Sequence, residues 1–150
     1  MATSSRAATT YVTLNILPLL VFPLVIYNLA TLTGADTTWV FSSPFAVHLI
    51  SGDSWPVTYG DIFVGLSLLL LFVEIVKSTR TDSSAIINHG LSMAVAVICV
   101  LQFVTMKGFG TSAFFFLTMM QILDVIAGFT VTIVAAKRDF GSAGGIAGTN

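Results

Sequence analysis

Charge is what this sequence has least of. Only 9% of its 150 residues are Asp, Glu, Lys or Arg, against roughly 25% in a soluble domain. The shortage excludes an ordinary water-facing surface. The lysines and arginines form no cluster and the formal net charge is -1, so no patch is suited to neutralising the phosphates of a nucleic acid. Cysteine occurs once, at Cys99 inside an apolar run. That excludes an internal disulfide and a cysteine-based metal site, and it says nothing about redox compartment.

What is present is apolar. Hydrophobic residues make up 55% of the chain and the mean hydropathy is +0.95, which identifies an integral membrane protein in contact with membrane lipid. Four runs are long enough to cross about 30 Å of hydrocarbon as helices of about 20 residues. They cover Tyr11 to Leu32, Tyr59 to Val76, Ala85 to Met106 and Ser112 to Ala136. Four spans leave no room for a soluble domain, so residues 1–150 read as a single transmembrane domain. The connections STRTDSS and KGFGT are short and rich in turn and capping residues, which makes successive spans antiparallel neighbours. The expected fold is all-α, an integral-membrane four-helix bundle. Its glycine-rich end, residues 139–150, reads as a flexible tail.

Orientation follows from the cations. Arg6, Lys77, Arg80, Lys137 and Arg138 fall on one side and Lys107 on the other, which puts both termini in the cytoplasm. Arg6 before the first run, and Ala30, Gly34 and Ala35 at and after its end, mimic a secretory signal; we read the run as an uncleaved first helix. In the long outer connection, Ser43 and Pro44 have the pattern of an N-cap and first helical position. They predict a short helix over FAVHLI, Phe45 to Ile50, either interfacial, with Trp39, Phe41, Phe45 and Trp55 as headgroup-level anchors, or capping the mouth of the bundle. His48 in this connection, with Asp36, Asp53 and Asp61 near in sequence, has the residue types of a metal or proton site, but one histidine among scattered aspartates reads better as a solvated surface. No metal site is expected.

Pro18 and Pro23 in the first run remove the backbone bonds to the carbonyls of Leu14 and Leu19 and predict a bend. Asn15 and Asn28 are placed to satisfy freed groups or to bond another helix.

Four titratable residues lie in or near the spans. Asp61 opens its helix, where an anion suits the exposed amides. Glu74 can reach Lys77 three residues on, and His89 sits near the same membrane level as Glu74, so a contact between the second and third helices is expected. Asp124 is different, because it falls near the bilayer midplane, where a carboxylate costs about 2.5–3.5 kcal/mol on insertion scales and must be paired or protonated. With 100° per residue, Gln121, Asp124, Gly128, Thr132 and Ala135 share one narrow stripe. Ser92, Ala96 and Cys99 make a comparable stripe on the third span. Small and polar residues at this spacing suit close helix packing in lipid. Two readings of Asp124 stand side by side: a hydrogen bond across a tight helix contact, or the carboxylate of a proton or cation path with Asp61, Glu74 and His89 as further stations.

Enzyme chemistry is not expected. The sequence has no GxSxG, no HExxH and no clustered acid pair. Cys99 and His89 are about 15 Å apart on one helix, too far for a nucleophile and its base. His48 and His89 stand at opposite membrane levels, so a bis-histidine haem site is not formed and no cofactor is expected.

The stretches GDIFVGLSLLLLFVEIVKSTRT, INHGLSM and DVIAGFTVTIVAAKRDFG resemble a group of small, uncharacterised four-span inner-membrane proteins of proteobacteria. The resemblance covers spans two to four. It implies a bacterial inner membrane and brings no activity with it. The expected function is therefore that of a non-enzymatic membrane protein, self-associating as a homo-oligomer or acting as an accessory subunit beside other membrane proteins. The alternative is a proton or cation conduit built on Asp124.

Overall fold

The computed structural model describes residues 17–33, 37–79 and 83–144. Among these described residues the structure is predominantly helical, with four helices: α1 (Val21–Leu32), α2 (Tyr59–Ser78), α3 (Ser83–Thr105) and α4 (Ser112–Gly144). Three of them are long and apolar enough to cross a membrane, over Tyr59–Ser78, Ile86–Thr105 and Ser112–Val134. These agree with the second, third and fourth runs of the sequence to within a few residues. The fourth helix outlasts its run: α4 continues to Gly144, through part of the segment read as a flexible tail. Residues 145–150 of that tail lie outside the described residues.

The first run differs more. Tyr11, Leu14 and Asn15 lie outside the described residues, and α1 begins only at Val21. Ahead of it, Leu17–Leu20 is turn rather than helix, with Val21 N–H donating to the Pro18 carbonyl at 3.1 Å and Phe22 N–H to the Leu19 carbonyl at 3.1 Å. The described part of the first run is thus irregular over residues 17–20, directly ahead of α1. Pro18 drives this irregularity, because proline pushes the preceding residue out of the α region. Pro23 is harmless where it falls, in the first turn, where a helix needs no backbone donor.

The helices pack around α4, which lies against both α2 and α3. The reason is compositional. The α4 residues Ala113, Phe114, Leu117, Thr118, Met120, Gln121 and Asp124 are buried, while Phe116, Leu123, Ile126 and Ile133 are at least half exposed. In lipid the exposed apolar side chains lose nothing, so association rests on close packing and internal hydrogen bonds. Near the start of α2 the packing is aromatic. Tyr27 stacks at 4.7 Å on Phe114 and 5.5 Å on Phe109, with Trp39 and Phe63 at 5.6 and 5.7 Å. The Tyr27 hydroxyl bonds Thr111 Oγ1 at 2.7 Å and the Gly108 carbonyl at 3.1 Å, tying α1 to the turn between α3 and α4. Gly108 is required there: its φ is +89°, and a Cβ would lie 2.8 Å from the Thr31 methyl.

The connection before α2 overturns the interfacial helix. Thr37–Phe41 forms a 3₁₀ turn, and Phe45–His48 and Ser54–Val57 are antiparallel strands β1 and β2, paired Phe45 with Val57 and His48 with Ser54. Ser43 does not act as a helix N-cap. Its hydroxyl donates to the carbonyls of Phe45 and Val57, at 2.9 Å each, which clamps the open end of a hairpin. Gly52 supplies the positive φ of +92° at the other end. Of the four expected anchors, Phe41, Phe45 and Trp55 are exposed, whereas Trp39 turns inward onto Tyr27 and Phe63.

Candidate functional site

The polar residues of the spans gather where α2, α3 and α4 meet. Glu74, fully buried on α2, is the centre. Its Oε1 accepts from Lys77 Nζ at 2.9 Å and from Asn88 Nδ2 of α3 at 2.6 Å. Its Oε2 accepts from the backbone N–H of Leu19 at 2.9 Å. Lys77 Nζ in turn donates to the Leu17 carbonyl at 2.9 Å. The ion pair expected between Glu74 and Lys77 therefore exists, and it does more than neutralise a shallow charge. It binds one N–H and one C=O of the irregular segment before α1, groups for which hydrocarbon offers no partner.

One turn along α3 from Asn88, Ser92 is fully buried, and its carbonyl accepts from Gln121 Nε2 of α4 at 3.1 Å. Asp124 lies one turn further along α4, 2% exposed. Ser92 Oγ stands beside its carboxyl without meeting the geometry of a hydrogen bond, and Glu74, His89 and Lys77 are within electrostatic reach. Asp124 Oδ2, Gln121 Oε1, Asn88 Oδ1, Ser92 Oγ and His89 Nε2 all lack a hydrogen-bond partner within the chain among the described residues. Three of the five are oxygens that only accept, so the cluster has more buried acceptors than donors. A buried group left in that condition costs about 1–3 kcal/mol, and such concentrations call for an explanation.

His89 packs on Gly128: a methyl added at Gly128 would overlap the imidazole. The glycine is what lets α3 and α4 approach at this level. Thr132 differs from Gln121, Asp124 and Gly128 of its stripe. It is exposed, and its hydroxyl bonds the Gly128 carbonyl of its own helix at 3.0 Å. The packing face on α4 is thus Gln121, Asp124 and Gly128, and it is turned toward α3 of the same chain.

Asp61 does not join the cluster. It is exposed at the start of α2, about 20 Å from Glu74 along the helix at 1.5 Å per residue, with the aromatic packing around Tyr27 and Phe63 near its own end. Asp61 Oδ2 accepts from Thr58 N–H at 2.9 Å and Thr58 Oγ1 at 2.7 Å, while Asp61 N–H donates to Thr58 Oγ1 at 3.0 Å. This is a complete capping box. His48 is exposed on β1 and Asp53 bonds Ser51 in the hairpin turn; Asp36 lies outside the described residues. Among the described residues no group of three His, Cys, Asp or Glu side chains is placed to hold a metal ion.

Two features of the site have only weak sequence signals. Asn88, four residues before Ser92, extends the small, polar stripe of α3. The backbone of Leu17 and Leu19 carries no side-chain signal, and only Pro18 hints that these groups need outside partners. Asn28 does what its residue type suggested: it exchanges two hydrogen bonds with Gln102 of α3, at 2.8 and 3.1 Å.

No family model matches the chain, and no curated protein or solved structure matches it.

Proposed function

We propose that this chain is a non-enzymatic subunit of a bacterial inner membrane, with both termini cytoplasmic, that works through helix contacts with its own copies or with other membrane proteins. The observation that carries the reading is where the polar groups go. Glu74, Lys77, Asn88, Gln121, Asn28 and Tyr27 all bond within the chain, and α2 to α4 turn Leu66, Leu69, Phe72, Val104 and Ile126 outward. A molecule with that exterior meets lipid or other apolar helices. The stripe on α4 serves the inside of the subunit, so contacts between subunits fall to the outward apolar faces. The lysines and arginines near the Ser78 end of α2 support the cytoplasmic assignment. Native mass spectrometry of the protein, extracted at native expression level into lipid nanodiscs, tests the proposal. A ladder of identical subunits or foreign subunits in fixed stoichiometry supports it; a lone monomer overturns it.

A second reading has its own support in the unpartnered Asp124 Oδ2 and its neighbouring acceptors. A proton on Asp124, or a cation held among these oxygens, would answer the surplus. Asp124 would then be the titrating group of a proton or cation pathway. Asp124→Asn separates the readings, because Asn still hydrogen-bonds but does not carry a proton. Flux into liposomes that stops in this variant supports a pathway; flux that persists refutes the role of Asp124.

A further inference from the structure

A groove of about 440 Å³ lies beside the start of α2, between α2, the first turn of α4 and the connection that carries the hairpin. Its volume is in the range of small-molecule sites, roughly 300–1,000 Å³. Three aromatic side chains line it, Phe41, Trp55 and Phe116, each at least half exposed. Each of the three thus has surface left uncovered by the chain. Asp61 is the one charged residue in the lining among the described residues. Both bonds to its carboxylate go to Oδ2, which leaves Oδ1 of this exposed residue without a hydrogen bond from the chain. A carboxylate oxygen among aromatic faces is the recognition chemistry of an organic ammonium ion.

The rest of the groove is built from small and medium-sized uncharged residues, among them Gly60, Gly65, Ala113, Thr58 and Ser112. Gly65 sits one turn below Asp61, and a Cβ there would meet nothing within 4 Å. Gly60, by contrast, is held under the Val40 carbonyl, 2.6 Å from where its Cβ would lie, which fixes the 3₁₀ turn and Phe41 over the groove. Asp61, Gly65, Leu68 and Phe72 follow one another along a single face of α2, and Leu68 and Phe72 are 56% and 65% exposed. The face thus carries one anionic oxygen at its head and an apolar track leading away from it.

We infer that this groove binds the ammonium headgroup of a membrane amphiphile, with Asp61 as counter-ion, Phe41, Trp55 and Phe116 around the cation, and the acyl chain laid along Gly65, Leu68 and Phe72. Charge complementarity selects an amine-bearing headgroup, and the apolar track selects an amphiphile over a free amine. The capping box frees Asp61 for this second task, since Oδ2 alone completes the cap.

The test is native mass spectrometry of the full chain in a neutral alkyl-glycoside detergent, titrated with phosphatidylethanolamine or with phosphatidylglycerol of the same acyl chains. Phosphatidylethanolamine should bind at least about fivefold tighter, the scale of one exposed ion pair with cation–π support. Asp61→Asn keeps an oxygen for the cap and should erase that preference, while Gly65→Leu should weaken both lipids without touching the cap. Equal binding of the two lipids, or an undiminished preference in Asp61→Asn, overturns the proposal. Displacement of the lipid by free ethanolamine at equal concentration overturns it too, because the site would then take a soluble amine.

Discussion

Removing the Glu74 carboxylate should do more damage than any other single truncation in the spans. Glu74→Ala deletes the acceptor of three hydrogen bonds, from Leu19 N–H, Lys77 Nζ and Asn88 Nδ2. It leaves behind an ammonium whose side chain is 13% exposed. Breaking a buried ion pair from one side costs about 3–5 kcal/mol, because the partner charge is stranded. The assay is reversible unfolding in mixed micelles as the fraction of denaturing detergent is raised, with helicity as the signal. Replacing both partners with apolar side chains, Glu74→Leu with Lys77→Met, removes the stranded charge and should recover more than half of that loss. It should not recover all of it, since the Leu17 carbonyl and Leu19 N–H remain unpartnered. Hydrogen exchange at Leu19 reports this directly, and should be fast in both variants. A loss below about 1 kcal/mol in Glu74→Ala, or a double variant no better than the single one, would refute the view that the pair staples the irregular segment.

Gly128→Leu drives a side chain into the His89 ring and should destabilise by about 1–3 kcal/mol, as overpacking does; His89→Ala in the same chain should relieve most of it, and failure to do so would separate the two residues. The Asn28 and Gln102 amides exchange two bonds, so alanine at either should cost about 0.6–1.7 kcal/mol. Alanine at both should cost little more than one alone, read by the same unfolding assay. Tyr27→Phe keeps the aromatic contacts and loses the bonds to Thr111 and Gly108, and a loss of about 1 kcal/mol is expected.

The long apolar elements were legible because lipid imposes a length and a composition that soluble folds do not. The second and third runs became α2 and α3 to within two residues at each end, and the fourth became the first part of α4. The connections were harder. Ser43 and Pro44 carry the pattern of a helix start, yet Phe45 to His48 pairs with Ser54 to Val57, and the partner strand is a relation between distant positions that a local pattern does not contain. The strand signal was there in Phe45, Val47, Trp55 and Val57, with Gly52 and Asp53 as a turn between them. Pro56 argued against a strand, but a two-stranded ribbon is all edge, where proline is tolerated. Within the site, Gln121, Asp124 and Gly128 share one buried face of α4, while Thr132, at the same spacing, is exposed.

The irregular segment ahead of α1 and the ion pair are two halves of one solution. Residues 17–20 around Pro18 stand outside the helix, and Leu17 C=O and Leu19 N–H bond to side chains of α2 instead. In hydrocarbon each such group, left unpartnered, costs several kcal/mol. A carboxylate alone could answer only the N–H, and an ammonium alone only the C=O. Glu74 and Lys77, three residues apart on α2, present both signs to adjacent backbone groups, and each charge neutralises the other. The pair is therefore retained for a reason that hydrophobic replacement would not meet, in contrast to ion pairs whose only partners are one another. Asn88 extends the same logic to α3 by occupying a remaining lone pair of Glu74. It follows that the cluster has one half that is saturated, around Glu74, and one half with acceptors to spare, around Asp124. Substitutions in the first half should act on stability, and under the proton or cation reading proposed above, substitutions in the second half should act on flux.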